Sequence, residues 1–241
     1  MVTILDQKKH DEIMHRVLFD IYSDTGLAIN LIFKGGTACY LFYELPRFSV
    51  DLDFDLLQPE NKAVVFEKIK NIAARYGKIS DAWIKFNTIL VELSYAVPDR
   101  NLKIEISART EEKTPYEQKN LLGLSVLVMT QSAMCANKLL AVTERNKIVN
   151  RDYFDAHFFL KNNWPIDEEI IKLKGGRTIP EQLNKILGQI EETEKPNVLF
   201  GLGELIDDKQ KSWIKNNLLK ELKFYLNLYL RKYTSTEKSL T

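Results

Sequence analysis

The spacing of hydrophobic and polar positions changes several times along the chain. Ile13, Val17, Leu18 and Ile21 recur at helical spacing and predict a helix over 8–24. Ala28 to Phe33 is a short apolar stretch that reads as a strand or a tight connection. After Gly35-Gly36-Thr37, helical spacing returns with Ala38, Leu41, Phe42 and Leu45, and Pro46 ends it because proline has no amide hydrogen to donate. Val50 to Leu57 then alternates, with Val50, Leu52, Phe54 and Leu56 on one face and Asp51, Asp53 and Asp55 on the other, which is strand periodicity. A helix over Lys62–Arg75 is followed by strand-like runs at Ala82–Phe86, Ile89–Tyr95, Leu102–Ser107 and Leu124–Met129. Beyond Thr130 the pattern predicts only helices, at 131–146, 151–162, 166–174, 180–191 and, longest, near 210–232.

Strands mixed with helices, then helices alone, give an α+β fold class: a mixed sheet flanked by helices over 1–129, then a helical domain over 130–241. The 241 residues are enough for two modest cores, and 45% hydrophobic with 28% charged residues is ordinary globular composition. The longest nearly apolar run, Leu121–Met129, is far short of the ~20 residues that span a bilayer. Asp6, Lys8, Lys9, His10 and Asp11 stand where a secretion signal needs an apolar stretch. Two cysteines, Cys39 and Cys135, build neither a disulfide framework nor a zinc site. The expectation is a soluble, cytoplasmic protein with no membrane partner.

Net charge is only +1, but its distribution is uneven. Glu44 to Glu67 holds six acids and two bases, whereas Lys209 to the end holds eight bases and two acids. An early acidic cluster suits a cation-binding centre. A late basic excess suits either a surface that meets a polyanion or a solvated helix face.

The chemistry concentrates in Lys34-Gly35-Gly36-Thr37 and Arg47-Phe48-Ser49-Val50-Asp51-Leu52-Asp53-Phe54-Asp55. Two glycines at a helix start let the backbone approach a phosphate, whose charge the helix N-terminus favours. Carboxylates two residues apart on a strand project to the same side, roughly 6.5–7 Å apart along the chain, and can converge on Mg²⁺. Without a cation, crowded carboxylates resist ionising together.

These residues resemble the nucleotidyltransferase signature of the DNA polymerase β-like superfamily. More narrowly, KGGTACYLFYELPRFSVDLDFD is similar to the AbiEii/AbiGii type of nucleotidyltransferase toxin, first known from abortive phage infection. The family pattern of Gly-Gly-Thr, then Arg-Phe-Ser, then Asp-Leu-Asp-Phe is matched at the family's spacing, and the likeness runs over roughly 30–160. It implies a nucleoside triphosphate held by Gly35, Gly36, Thr37 and Ser49, and Mg²⁺ held by Asp51 and Asp53. The family's later elements match as Lys138, Ala141 and Arg145, and as Arg151-Asp152-Tyr153-Phe154-Asp155, which brings Lys138, Arg145 and Asp155 into the expected site. The implied activity is transfer of a nucleoside monophosphate to an acceptor hydroxyl, in some relatives the 3′ end of tRNA, by a toxin silenced by a partner encoded beside it.

The later residues also read physically. Lys138 and Arg145 are seven apart on one helix face, where two cations suit a triphosphate; Arg145 equally suits the helix C-terminus. Asn150 is placed to cap the next helix, with Asp152 in its first turn and Asp155 spaced to pair with Arg151. For the general base, Glu105 shares a strand face with Lys103 and Ser107, and Asp55 is the competitor on its own strand. His157 between aromatics reads as structural, and Lys174-Gly175-Gly176-Arg177 as an interhelix turn whose cations can touch RNA. Two other functions fit the same residues: a nucleotidyltransferase with a small-molecule, antibiotic-type acceptor, and a nucleotide-binding module without transfer. The active site is expected between the two domains.

Overall fold

The alternation at 50–57 becomes strand β2 (Asp51–Leu56), with Leu52, Phe54 and Leu56 buried and the three aspartates partly exposed. In the computed structural model, which describes residues 4–96, 100–109, 114–145, 147, 149–192 and 197–237, β2 is the central strand of a seven-stranded sheet. The other strands are β1 (Leu31–Lys34), β3 (Lys78–Lys85), β4 (Thr88–Ala96), β5 (Arg100–Ser107), β6 (Tyr116–Leu121) and β7 (Leu124–Met129), in the order β3-β4-β5-β2-β1-β7-β6. The sheet is mixed, since β2 runs parallel to β5 and antiparallel to β1, while β1 runs parallel to β7. Both outer pairs, β3–β4 and β6–β7, are antiparallel hairpins.

Helix α1 (Ile4–Ser23) contacts β5 and β7 through an apolar stripe that includes Met14, Val17, Leu18 and Ile21, all fully buried. A short helix α2 (Thr25–Ala28) is capped by Asp24, whose carboxylate takes the Gly26 and Leu27 amides and also pairs with Lys68 at 2.7 Å. Helix α3 (Gly35–Tyr43) packs on β1 and β2, and α4 (Lys62–Ala73) on β3 and β4. The core of the sheet gathers Phe33, Phe54 and Tyr22, with ring centroids 5.2 Å apart for the two phenylalanines.

Chain contacts divide the protein into two units, Met1–Thr130 and Gln131–Thr241. The second is helical: α5 (Gln131–Glu144), α6 (Asn150–Lys161), α7 (Glu168–Gly175), α8 (Ile179–Glu192) and α9 (Asp208–Glu237). On α9 the buried stripe is Ile214, Leu218, Leu222, Leu226 and Tyr229, against α6 and α8. Trp164 stacks on Phe159 at 4.1 Å, and its carbonyl accepts from the Tyr229 hydroxyl at 2.9 Å.

Several boundaries differ from the expected ones. Strand β6 has no counterpart in the sequence reading, because Tyr116-Glu117-Gln118-Lys119-Asn120-Leu121 lies at the sheet edge, where half the strand faces water and apolar alternation is lost. The apolar stretch from Ala28 splits into the end of α2 and strand β1. Asn150 caps nothing: it is the first residue of α6, and its amide donates to the Asn197 and Phe200 carbonyls at 2.8 and 3.1 Å. Residue 146, at the end of the expected 131–146 helix, and Lys238, counted in the basic tail, lie outside the described residues.

Because Phe54 is fully buried between Phe33 and Tyr22, Phe54→Ala is expected to cost about 3–5 kcal/mol of stability, read from urea unfolding. Phe54→Leu, closer in volume, is expected to lose less than half of that.

Candidate active site

The end of β1, the start of α3 and the exposed face of β2 meet in one place. Gly35 has φ +78°, in the left-handed region, and a Cβ built on it would stand 2.5 Å from Asp53 Oδ2. The Asp53 carboxylate therefore lies directly against the first residue of α3, and only glycine fits there. At Gly36 a Cβ would stand 2.7 Å from Arg47 Nη2 and 2.8 Å from Ser49 Oγ. Thr37 is buried, and its hydroxyl donates to the Asp51 carbonyl, tying the helix to the carboxylate strand. No side chain caps the α3 N-terminus and no acid occupies its first turn, so its leading amides suit an anion.

Register completes the acidic face. Asp51, Asp53 and Asp55 stand opposite Lys103, Glu105 and Ser107 of β5, and Asp53 stands opposite Lys34 of β1. Asp55 is engaged on both oxygens, by the Lys34 ammonium and by the Thr114 hydroxyl, the latter at 2.7 Å. Glu105 pairs with Lys103 at 2.6 Å. No described group donates a hydrogen bond to the Asp53 side chain. Burial and the neighbouring Asp51 charge push its carboxyl up to about 6, with Glu105 adding to the rise and Lys34 and Lys103 opposing it. Burial by itself would lower the Lys103 ammonium, but Glu105, Asp51 and Asp53 outweigh that and hold it above its ordinary value.

These carboxylates fit a hard divalent cation. Asp53 is close to a like charge and has no hydrogen-bonded partner among the described residues, a state that a bound cation would relieve. Among the described residues no three or more His, Cys, Asp or Glu side chains have metal-holding geometry. A small hard cation held by few carboxylates keeps several positions for water and phosphate oxygens.

In the second unit, Lys138 of α5 pairs with Asp152 at 2.7 Å and with Asp155 at 3.0 Å, both carboxylates being 1% exposed. Arg145 Nε lies 3.1 Å from Asp152 as well. Asp155 thus turns to Lys138 rather than to Arg151, and Arg145 serves Asp152 more than the end of α5. Two buried carboxylates fix the Lys138 ammonium, an arrangement that is stable only while all its members are present. His157 is structural as expected: it lies 5.1 Å from Trp213 and 5.6 Å from Tyr225, meets Glu221 at 3.1 Å, and burial lowers its pKa against the pull of Glu221. The 174–177 segment is a capped turn, with Gly176 in the left-handed region ending α7 and Thr178 and Glu181 capping α8 reciprocally.

The model for "Nucleotidyl transferase AbiEii toxin, Type IV TA system" matches residues 16–195, well over half of the chain. The chain belongs to the AbiEii nucleotidyltransferase toxin family. It is accordingly a transferase, of a family in toxin–antitoxin systems that generally uses a divalent metal. The AbiEii chain is similar in structure to JHP933 from Helicobacter pylori, with TM-score 0.63 and 22% identity over 100% of this chain and 98% of that one. It is also similar to MenT4, a nucleotidyltransferase toxin from Mycobacterium tuberculosis, with TM-score 0.57 and 18% identity over 90% of this chain and 82% of that one. At such identities the likeness is one of fold. No curated protein matches the sequence.

The sequence reading missed Lys34 and Thr114 as partners of Asp55, and Asp152 as a partner of Lys138. Lys34 stood in plain view before Gly35, but strand pairing, which no local pattern reveals, carries it across to Asp55. Thr114 carried no signal.

A raised Asp53 pKa has a defined sign. The folded protein binds this proton more tightly than the unfolded chain, so the contribution favours folding below the unfolded value and is lost as pH rises through about 6. Asp53→Asn is therefore expected to raise the melting temperature of metal-free AbiEii protein at about pH 8 by ~2–4 °C, and to leave it unchanged near pH 4. For the wild type, calorimetric titration should show divalent-ion affinity falling as pH drops through about 6, where the proton competes.

Proposed function

We propose that this AbiEii protein is a Mg²⁺-dependent nucleotidyltransferase that moves a nucleoside monophosphate from a triphosphate to an RNA hydroxyl, the 3′ end of tRNA being the acceptor, and that it acts in the cytoplasm as a toxin silenced by a cognate antitoxin. The observation that carries this reading is the Asp53 carboxylate set against Gly35, the first residue of an uncapped helix N-terminus. A cation site and a phosphate cradle are thereby a few ångströms apart. Among the described residues no helix is long and apolar enough to cross a membrane.

Each residue then has a task. Asp51 and Asp53 hold Mg²⁺, which when bound neutralises the triphosphate and the developing negative charge of an in-line displacement. The leading amides of α3, at Gly35, Gly36 and Thr37, receive phosphate oxygens, and the Ser49 hydroxyl beside Gly36 adds a donor. Glu105, in register with Asp53, accepts the acceptor hydroxyl's proton. The competing Asp55 has both oxygens engaged, by Lys34 and Thr114, which supports Glu105 over it. In the second unit, Asp155 with Asp152 orients the Lys138 ammonium, and Arg145 meets Asp152 beside it.

Purified protein incubated with each labelled triphosphate, with total RNA and separately with aminoglycoside acceptors, tests the reading. Label is expected on RNA and to require Mg²⁺; label on the small acceptors alone would favour an antibiotic-type enzyme, and bound but untransferred nucleotide a binding module. Asp53→Ala is expected to abolish transfer and growth arrest while the protein melts no lower than wild type without metal. Lys138→Ala is expected to destabilise the second unit by about 3–5 kcal/mol in urea unfolding, because Asp152 and Asp155 are left buried without their cation.

The basic α9 supplies a test of the acceptor. Lys215 and Lys220 are exposed, whereas Lys211 pairs with Asp208 at 2.8 Å and Lys223 approaches Glu191 at 3.7 Å. Changing Lys211, Lys215, Lys220 and Lys223 to Gln is expected to weaken RNA binding and flatten its salt dependence by about 0.7 per lost contact in the log–log slope for single strands. An unchanged slope would remove α9 from the acceptor surface.

A further inference from the structure

His10 of α1 lies before residue 16, outside the segment matched to the family, and it is 4% exposed although it carries a titratable ring. Both ring nitrogens are engaged. Nε2 is 3.0 Å from the Val50 carbonyl oxygen, and Nδ1 meets the Tyr95 hydroxyl. A carbonyl only accepts, so Nε2 carries the hydrogen, and in the neutral ring Nδ1 accepts from Tyr95. Val50 is the residue immediately before Asp51, where the ladder between β2 and β5 begins. The same imidazole meets the Phe48 ring edge-on at 5.6 Å, and Phe48 meets Tyr40 of α3 at 5.9 Å.

The segment from Arg47 to Asp51 is therefore held from two sides. From α3, Thr37 donates to the Asp51 carbonyl. From α1, His10 donates to the adjoining Val50 carbonyl. These two neighbouring carbonyls set the direction in which β2 leaves the loop, and hence where the Asp51 carboxylate points. Tyr95 belongs to β4, so the imidazole also ties this loop to the strand on the far side of β5.

We propose that His10 is a positioning residue for the carboxylate strand: through the Val50 carbonyl it fixes the entry into Asp51, and so sets the affinity of the Asp51–Asp53 pair for its divalent ion. The proposal rests on the metal-dependent reading of β2 given above. His10 acts through the backbone and touches no reacting group. Its nearest analogue is an outer-shell partner that orients a metal ligand, whose loss typically weakens metal binding about 10–100-fold.

The experiment compares wild type with His10→Leu, which removes both ring nitrogens, His10→Gln, whose amide nitrogen reaches about as far as Nε2, and His10→Asn, whose amide does not. Mn²⁺ binding is measured by calorimetry, and hydrogen exchange is followed in peptides covering residues 48–54. His10→Leu is expected to weaken Mn²⁺ binding about 10-fold and to speed exchange at 48–54 while leaving α4 peptides unchanged. His10→Gln is expected to restore most of both, and His10→Asn little of either. In transfer assays the metal concentration for half-maximal rate should rise by the same factor, with a smaller loss of kcat at saturating metal.

Wild-type Mn²⁺ affinity and exchange in His10→Leu would overturn the proposal, as would exchange that rises evenly across residues 4–130. If His10→Leu does not fold, Gln and Asn variants that behave alike overturn it and a clear advantage of Gln upholds it. Wild-type protein that binds no Mn²⁺ sinks the metal reading and, with it, the claim on metal affinity, while the exchange pattern at 48–54 still decides whether His10 holds the strand.

Discussion

Repulsion between carboxylates on one face of β2 is the constraint around which the first unit is built. Asp51, Asp53 and Asp55 project to the same side because the strand's other face, Leu52, Phe54 and Leu56, is committed to the core. A one-residue slip would bury the charges and expose the core, so the register is strongly enforced. Neighbouring strands answer the charge unevenly. Lys34 and Thr114 satisfy Asp55, Lys103 pairs with Glu105, and among the described residues none donates a hydrogen bond to Asp53, whose pKa is raised.

The second unit handles charge the opposite way. Lys138 is locked between Asp152 and Asp155, with Arg145 on the far oxygen of Asp152, so two cations meet two carboxylates. Such a cluster gains little over an apolar core in stability, but it holds the lysine in one geometry. On β2 the carboxylates crowd one another, whereas the α5–α6 cluster fixes its cation by pairing it.

Close backbone approach links the two themes. Gly35 and Gly36 are glycines because Asp53, Arg47 and Ser49 occupy the space a Cβ would need. The turn that frees the α3 amides is also the turn that lets the carboxylate strand come near them. His10 and Thr37 then hold the neighbouring carbonyls of Val50 and Asp51.

Much of this was legible in the residues alone, because the signals are local. Period-two alternation across 50–57 and 102–107 announced the two strands and put Asp51, Asp53 and Glu105 on polar faces, and the Gly-Gly-Thr before an amphipathic stretch announced a helix start. Alternation failed where an element sits at an edge: β6 has a polar, half-exposed pattern and was invisible. Pairing between distant segments was equally hidden. Nothing local says that Lys34 crosses to Asp55, that Asp155 prefers Lys138 to Arg151 one turn before it, that Asn150 reaches the 197–200 turn rather than capping its own helix, or that His10 lies under Val50. Periodicity is set by which face of one segment must avoid water, and a chain carries that information residue by residue. Which charges meet depends on strand order and helix packing, and that is decided only when segments far apart in sequence compete to bury the same surface.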